Sequence, residues 1–423
     1  MTRILFFLII SMKFTVSFAQ NSRWLQSGLV DSTFQKHQSV LNISASGFYN
    51  SNFITNGLAD KFLFGGYIDN NLKNKSRENL NGQNYFNLEF ESSINYYCNI
   101  DTLAKQTKNG LYFGTSLKGI VNAEISDDAF NLILYGNKPF GEEKISLNAN
   151  SFYQTIFQNF QFGMYNKKTF SFISLNIYNG AKFLNINTEN TFIQTKYNTI
   201  DGFLIPDEIN TEYDINYAST QGKTNLIKSK GVGLGISGTY NIPLNLIKDR
   251  ASFLQFEIED FGFIKWHKGI NTADTAGKFS FKGLESIGLF NFDNASLDAN
   301  NIIDSILPNV SERSQIYLLP TKYSISFSSQ ITDKIYTGAK VFYRSNCENN
   351  YGINISGDYK FSKKFMLGGE LNFFAFKDPN LILNSTFLIQ RNNFFSINIL
   401  NPHGFINIDS TSKGFMLSFI KVI

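Results

Sequence analysis

Few residues in this chain are typed and spaced for chemistry. The most suggestive are charges set within alternating runs: Glu89 and Glu91, Lys118 and Glu124, Glu257 and Glu259. Even-numbered spacing puts each set on one face of a strand, because successive side chains point to opposite sides. If the other face meets lipid, an outward basic residue at mid-membrane costs ~2–4 kcal/mol and an acidic one less. Inward placement avoids that cost. The six charges are therefore expected to face a lumen. There they either select solutes or form a solvated ladder of ion pairs that fills the interior. The ladder is the plainer reading, since it needs only charge neutralisation.

Other chemistries find little support. A hydrolase built on such a scaffold needs Ser and His on neighbouring strands with an acidic orienter. The three histidines, His37, His267 and His403, fall in a lead-in or in expected loops, so an enzyme is not expected. No Cys/His set has metal-binding spacing. Solvation explains Asp298 and Asp304 better than calcium does. Gly231, Gly233 and Gly235 sit inside an alternating run with no helix after them. This argues against a phosphate loop and for relief of curvature or close packing. No cofactor is implied. Cys98 and Cys347 lie far apart and give no disulfide pattern. The formal charge of +4 comes from 38 basic and 34 acidic residues without clustering, which argues against nucleic acid.

The elements that carry these charges follow from the rhythm itself. Phe86, Leu88, Phe90, Ser92, Ile94 and Tyr96 share one face of a run, and Asn87, Glu89, Glu91, Ser93 and Asn95 share the other. More than a dozen such runs, with no long apolar helix after the leader, predict an all-β fold: a transmembrane antiparallel β-barrel. The slightly negative mean hydropathy of −0.15 agrees, because only every second strand residue would meet lipid. The 44 Phe and 20 Tyr suit a lipid-facing surface with aromatic girdles. Arg3, the apolar run Ile4–Met12 and the small-x-small site Ser17-Phe18-Ala19 read as an export signal cleaved before Gln20. Residues 1–19 are thus expected to be a signal peptide and 20–423 the barrel, in the outer membrane of a Gram-negative cell.

Counting runs gives 14 to 18 strands, with 14–16 favoured. Tight turns such as Thr332-Asp333-Lys334 alternate with longer connections such as Asn401–Lys413, as short periplasmic turns and long outer loops do. Parity fails in one place. Ser252–Trp266 and Gly277–Phe290 read as two strands. The connection to Leu318 would then have to start on the periplasmic side and end outside. Within it, Ala299, Ile302, Ile303, Ile306 and Leu307 have helical spacing, and Pro308 ends the run. The segment Asn294–Leu307 is therefore either a helix plugging the lumen or an ordinary outer-loop helix. A second helix is expected at Asp127–Leu134 with Asp127 as N-cap. Asn50–Gln83 reads as a long loop or short inner element.

Several short stretches carry a resemblance. They are Leu134-Tyr135-Gly136-Asn137 with Phe140, Asp260-Phe261-Gly262-Phe263-Ile264-Lys265-Trp266, and Leu319-Pro320-Thr321 opening a strand that ends at Ile331-Thr332-Asp333-Lys334. With the leader ending Phe18-Ala19-Gln20, the chain resembles a Bacteroidota family of outer-membrane β-barrels of unknown function. That family is similar to fatty-acid transporter-like porins and to barrels accompanying type IX secretion. The resemblance implies a channel or transporter-like barrel for small or apolar solutes. The alternative it implies is a structural or accessory barrel that anchors surface or secretion machinery without flux. Expected partners are outer-membrane lipid, an apolar or small solute, and a secretion or surface protein.

Overall fold

The computed structural model describes residues 39–423 apart from 101–107, 201–202, 221–223, 227, 248–249, 282–310, 348–349, 363, 375–379 and 391–392. The first half of the sheet comprises β1 (Val40–Ser51), β2 (Asn84–Cys98), β3 (Asn109–Ile125), β4 (Lys144–Ser146), β5 (Asn150–Asn166), β6 (Phe172–Ile200), β7 (Phe203–Thr220), β8 (Gly231–Leu244) and β9 (Ser252–Phe281). The second half comprises β10 (Ser311–Leu318), β11 (Lys322–Gln330), β12 (Ile335–Arg344), β13 (Tyr351–Ser362), β14 (Phe365–Phe374), β15 (Asn380–Gln390), β16 (Asn393–Leu400) and β17 (Ser412–Val422). The ring closes where β1 pairs with β17, Val40 opposite Val422, while its other edge pairs with β2.

Three of the strands that return toward the chain ends are interrupted. β4 and β5 both pair with β6. β7 and β8 lie end to end between β6 and β9. β10 and β11 lie end to end along β9, separated by Leu319-Pro320-Thr321. Counting each broken pair once, seventeen segments make fourteen wall positions, an even number that places the start of β1 and the end of β17 at one rim. We call this the near rim. The tight turn at Ile331–Lys334 lies there, with Ile331 N bonded to Ile335 O at 2.9 Å. Connections 52–83, 126–149 and 401–411 lie at the far rim.

The barrel is apolar outside and polar inside. Along β6, Leu175 is 69% exposed and Ile177 45%, while Asn176 between them is 1% exposed. Inward polar groups bond one another across strands, which offsets their loss of water. Ser44 Oγ meets Ser93 Oγ at 2.7 Å, Asn176 donates to Ser237 Oγ at 2.7 Å, and Gln255 donates to Asn241 Oδ1 at 2.9 Å. The inward glycines accommodate rings. A Cβ on Gly180 would lie 2.6 Å from the Trp266 ring, and one on Gly235 would lie 2.8 Å from Tyr178.

Two strands are far longer than a bilayer needs. About 9–11 residues suffice to cross, yet β6 has 29 and β9 has 30. Their upper parts, with β7 and β10, stand beyond the far rim as a sheet. β6 runs unbroken through a bulge where Asn190 has φ 45°. One sequence expectation is corrected. Ser252–Trp266 and Gly277–Phe290 were read as separate strands, but β9 is continuous through residue 281. His267 accordingly lies in a strand and not in a loop. The parity conflict disappears: β9 ends and β10 begins at the far rim, with Ser311 opposite Thr272, so the connection between them need not cross the lumen. The helical pattern at Asn294–Leu307, with Ala299, Ile302, Ile303, Ile306 and Leu307, lies outside the described residues.

Helices α1 (Asn56–Phe64), α2 (Asn70–Glu78) and α3 (Asp127–Tyr135) gather at the far rim. The first two occupy the stretch read as a loop or inner element, yet they pack outside the wall. The N-cap of α3 is Ser126, whose Oγ accepts from Ala129 N at 3.2 Å. Asp127, expected as the cap, instead accepts from Asn84 Nδ2 at 2.6 Å.

Candidate functional site

The inner face of the wall assembles charges from distant parts of the chain. A bulge in β9 starts the arrangement. Asp260 has φ 57°, and the register against β8 slips between Ile236 and Gly238. The extra residue lets both Glu259 and Asp260 reach Lys118. Lys118 Nζ lies 2.6 Å from Asp260 Oδ2, forms a short bond to Glu259 Oε1, and stands 3.6 Å from Glu91. Asp260 Oδ1 also accepts from Asn159 at 3.0 Å and from Tyr178 OH at 3.3 Å. Its backbone carbonyl accepts from Thr321 Oγ1 at 3.1 Å, in the break between β10 and β11.

The ladder continues around the wall. Lys322 lies 3.9 Å from Glu259, and Lys340 3.1 Å from Glu257. Arg344 Nη2 lies 2.9 Å from Glu89 Oε2, its Nη1 donates to Pro320 O at 3.1 Å, and Asn350 donates to Glu89 Oε1 at 2.9 Å. Topology gives the Glu89–Arg344 pair its meaning. β2 and β12 are seven positions apart in either direction around the fourteen, so the pair joins opposite walls. The side chains are 13% and 7% exposed. Removing one member of such a buried pair leaves the other uncompensated, which costs ~3–5 kcal/mol.

Beside this bridge lies a cavity of about 880 Å³, open space at its mouth included. The enclosed part that a water-sized sphere can reach is about 70 Å³, room for a few waters at ~10–15 Å³ each. Its lining joins five charged residues, Lys340, Arg344 and Glu370 among them, to aromatic Phe48, Phe342 and Phe374. Arg344 Nε, Asn354 Oδ1 and Asn372 Oδ1, on three lining residues, are buried without a hydrogen-bond partner among the described residues. Elsewhere the lumen is packed. Phe157, Tyr178, Phe183, Ile264 and Trp266 form an apolar cluster toward the far rim. Tyr97, Tyr112 and Tyr165 crowd the near rim with Phe170 and Phe172.

Of the six charges singled out in the sequence, Glu89, Glu91, Lys118, Glu257 and Glu259 meet in this network. Glu124 stands on the same face of β3, six residues nearer the far rim, and outside it. The reading missed Lys322, Lys340 and Arg344, although alternation marks them: Tyr323, Ile325 and Val341 point outward beside them. It also missed Asp260, whose inward aim depends on the bulge. Cys98 and Cys347 are both free thiols. Cys347 lies in the β12–β13 connection, packs against the far cluster, and has its thiol pushed up to about 12 by burial. Among the described residues no His, Cys, Asp and Glu cluster could hold a metal.

Among solved structures, the toluene transporter TbuX of Ralstonia pickettii is similar at 9% identity and TM-score 0.37, over 91% of this chain and 89% of its own. The CymD monoaromatic hydrocarbon channel is similar at 8% and 0.38, over 97% and 94%. The translocator domain of the autotransporter NalP from Neisseria meningitidis is similar at 8% and 0.31, over 95% of each chain. The barrel is read from its own strand pairing and not from these likenesses. No curated protein matches in sequence. A family model matches residues 33–397, most of the chain, and the protein therefore belongs to the family of unknown function DUF5723.

Proposed function

We propose that this protein is an outer-membrane barrel, exported by a cleaved leader, that passes a small or apolar solute through its lumen. On the resemblance of its short motifs, its host is a Gram-negative cell of the Bacteroidota. The observation that carries the transport reading is the cavity. Aromatic rings, five charged groups (the Glu89–Arg344 bridge among them) and three unsatisfied polar atoms converge there. This is the usual make-up of a small-molecule site, mostly apolar with a few placed polar groups. The bridge keeps the lumen shut at rest, and its opening admits the solute. The other described charges act chiefly as a neutralised ladder.

A second reading is an accessory barrel that anchors a surface or secretion partner without flux. The packed clusters at two levels of the lumen favour it. Planar-bilayer conductance separates the two. The parent should conduct little. A Glu89→Gln/Arg344→Gln double variant should conduct several-fold more, because it breaks the bridge without leaving a lone charge. A double variant that stays closed, also after deletion of residues 294–307, would rule out transport. A stable co-purifying partner would then support the accessory role.

A further inference from the structure

The far-rim helices hang on the outside of the barrel. Tyr49 shares its strand face with Ile43, Phe86 and Leu88 share theirs with Ile94, and Ile125 shares its face with Phe113. Ile43, Ile94 and Phe113 are exposed on the outer surface, 40%, 47% and 42%. Tyr49 is instead buried, because Phe53, Leu58 and Phe130 of the helical segments pack over it together with Phe86, Leu88 and Ile125. An ion pair fixes the same placement. Lys413 stands opposite Tyr49 in register, hence on the outward face, and binds Asp60 of α1 at 2.7 Å. Asn56 N and Gly57 N also bond Ser410 O and Ile408 O of the β16–β17 connection, at 2.6 and 2.8 Å.

The side of this collar turned away from the wall is not dressed for water. Phe62, Phe64 and Tyr67 after the buried start of α1 are well exposed, as are Ile133 on α3 and Ile406 and Ile408 in the connection joined to α1. Six large apolar side chains exposed on the connections of one rim point to an interaction site. Height identifies the occupant. Six residues of β1 separate Ile43 from Tyr49, about 20 Å of strand and roughly 14 Å of height at a tilt near 45°. The apolar belt of such barrels is about 25 Å tall, so the collar starts close to its upper edge. Aromatic and aliphatic side chains on short amphipathic helices settle at that boundary, about 5–10 Å into the headgroup and acyl region.

We infer that α1, α2 and α3 form a lipid-seated collar, with Phe62, Phe64, Tyr67 and Ile133 inserted at the headgroup boundary of the outer leaflet that surrounds the barrel. The inference rests on the outer-membrane reading above. It gives the protein a one-sided foot on the membrane, over β17, β1, β2 and β3.

Tryptophan placed by substitution tests it in the full-length barrel, reconstituted in phosphatidylcholine vesicles with brominated acyl chains. The signal is the emission added over the parent, whose own tryptophans are Trp24 and Trp266, the latter buried inside the barrel. Leu175→Trp reports the belt, and Phe64→Trp and Ile133→Trp report the collar. Bromolipid should quench all three, with the collar positions quenched less than Leu175→Trp and poorly reached by aqueous iodide. Quenching of Leu175→Trp alone, with iodide reaching the collar freely, would overturn the collar and leave the membrane barrel standing. Absence of quenching at Leu175→Trp as well would overturn both.

Discussion

Lys118 is held by three carboxylates. Lys118→Met should lower stability by ~3–5 kcal/mol, since it leaves the buried Asp260 without its cation beside Glu259, which keeps only the longer contact to Lys322. Denaturant unfolding in detergent micelles measures it. Lys118→Met with Asp260→Asn should recover part of the loss. Gly180→Ala should cost ~1–3 kcal/mol, because the new methyl meets a rigid buried indole. Cys347 should resist alkylation in the folded barrel and react fully once unfolded, as expected for a buried thiol pushed up to about 12. At this scale the sequence carried the inward charges wherever alternation stayed in phase, as at Glu89 and Glu91 against Ile94. It could not carry Asp260. One inserted residue reverses the phase between Glu259 and Phe261, and nothing local in Glu-Asp-Phe-Gly marks the bulge. Nor could it show that Glu89 and Arg344 meet, because that contact belongs to ring closure and not to either strand.

Among the elements, β6 and β9 explain why strand boundaries, though not the strand number, were misplaced. Within the membrane belt the outward face must be apolar, so alternation is sharp. Beyond it both faces meet water, and stretches such as Asn187-Thr188-Glu189-Asn190 look like turns while remaining strand. The extension is tied by its own polar contacts. Glu208 on β7 accepts from Lys196 Nζ at 2.7 Å and Ser280 Oγ at 2.6 Å. The Lys196 and Ser280 hydrogen bonds hold its carboxyl down at about 2. A carboxylate lowered on folding stabilises the folded form fully above its ordinary range, and this support is lost as pH falls toward the folded value. Protection factors of amides near the β6–β7 tip, corrected for the intrinsic exchange rate at each pH, should therefore stay constant down to about pH 5 and fall progressively as pH drops toward about 2. Glu208→Gln should remove that fall. Protection factors unchanged across the range in the parent would contradict it. The helices were partly legible: the run at Asp127–Leu134 announced α3, but its cap is the serine one residue earlier. Their position outside the wall followed from no local pattern.

For the molecule as a whole, the seam between β1 and β17 has a kinetic consequence. Val40 lies opposite Val422, so the residues that close the ring are almost as far apart in sequence as the barrel allows. Contacts of such high sequence separation must be reached against loop-closure entropy, and chains dominated by them fold slowly. Deletion of Ser412–Val422 should leave two strand edges unpaired, and the truncated chain should fail to give a compact, heat-modifiable band on electrophoresis. Until the last strand arrives, β1 and β16 each present a row of open backbone groups, the kind of edge that templates aggregation. The apolar outer face would be exposed over the same interval. Assembly of this barrel is thus a race between the eleven residues of β17 and its neighbours in the envelope, one that favours a chaperone until the seam is made.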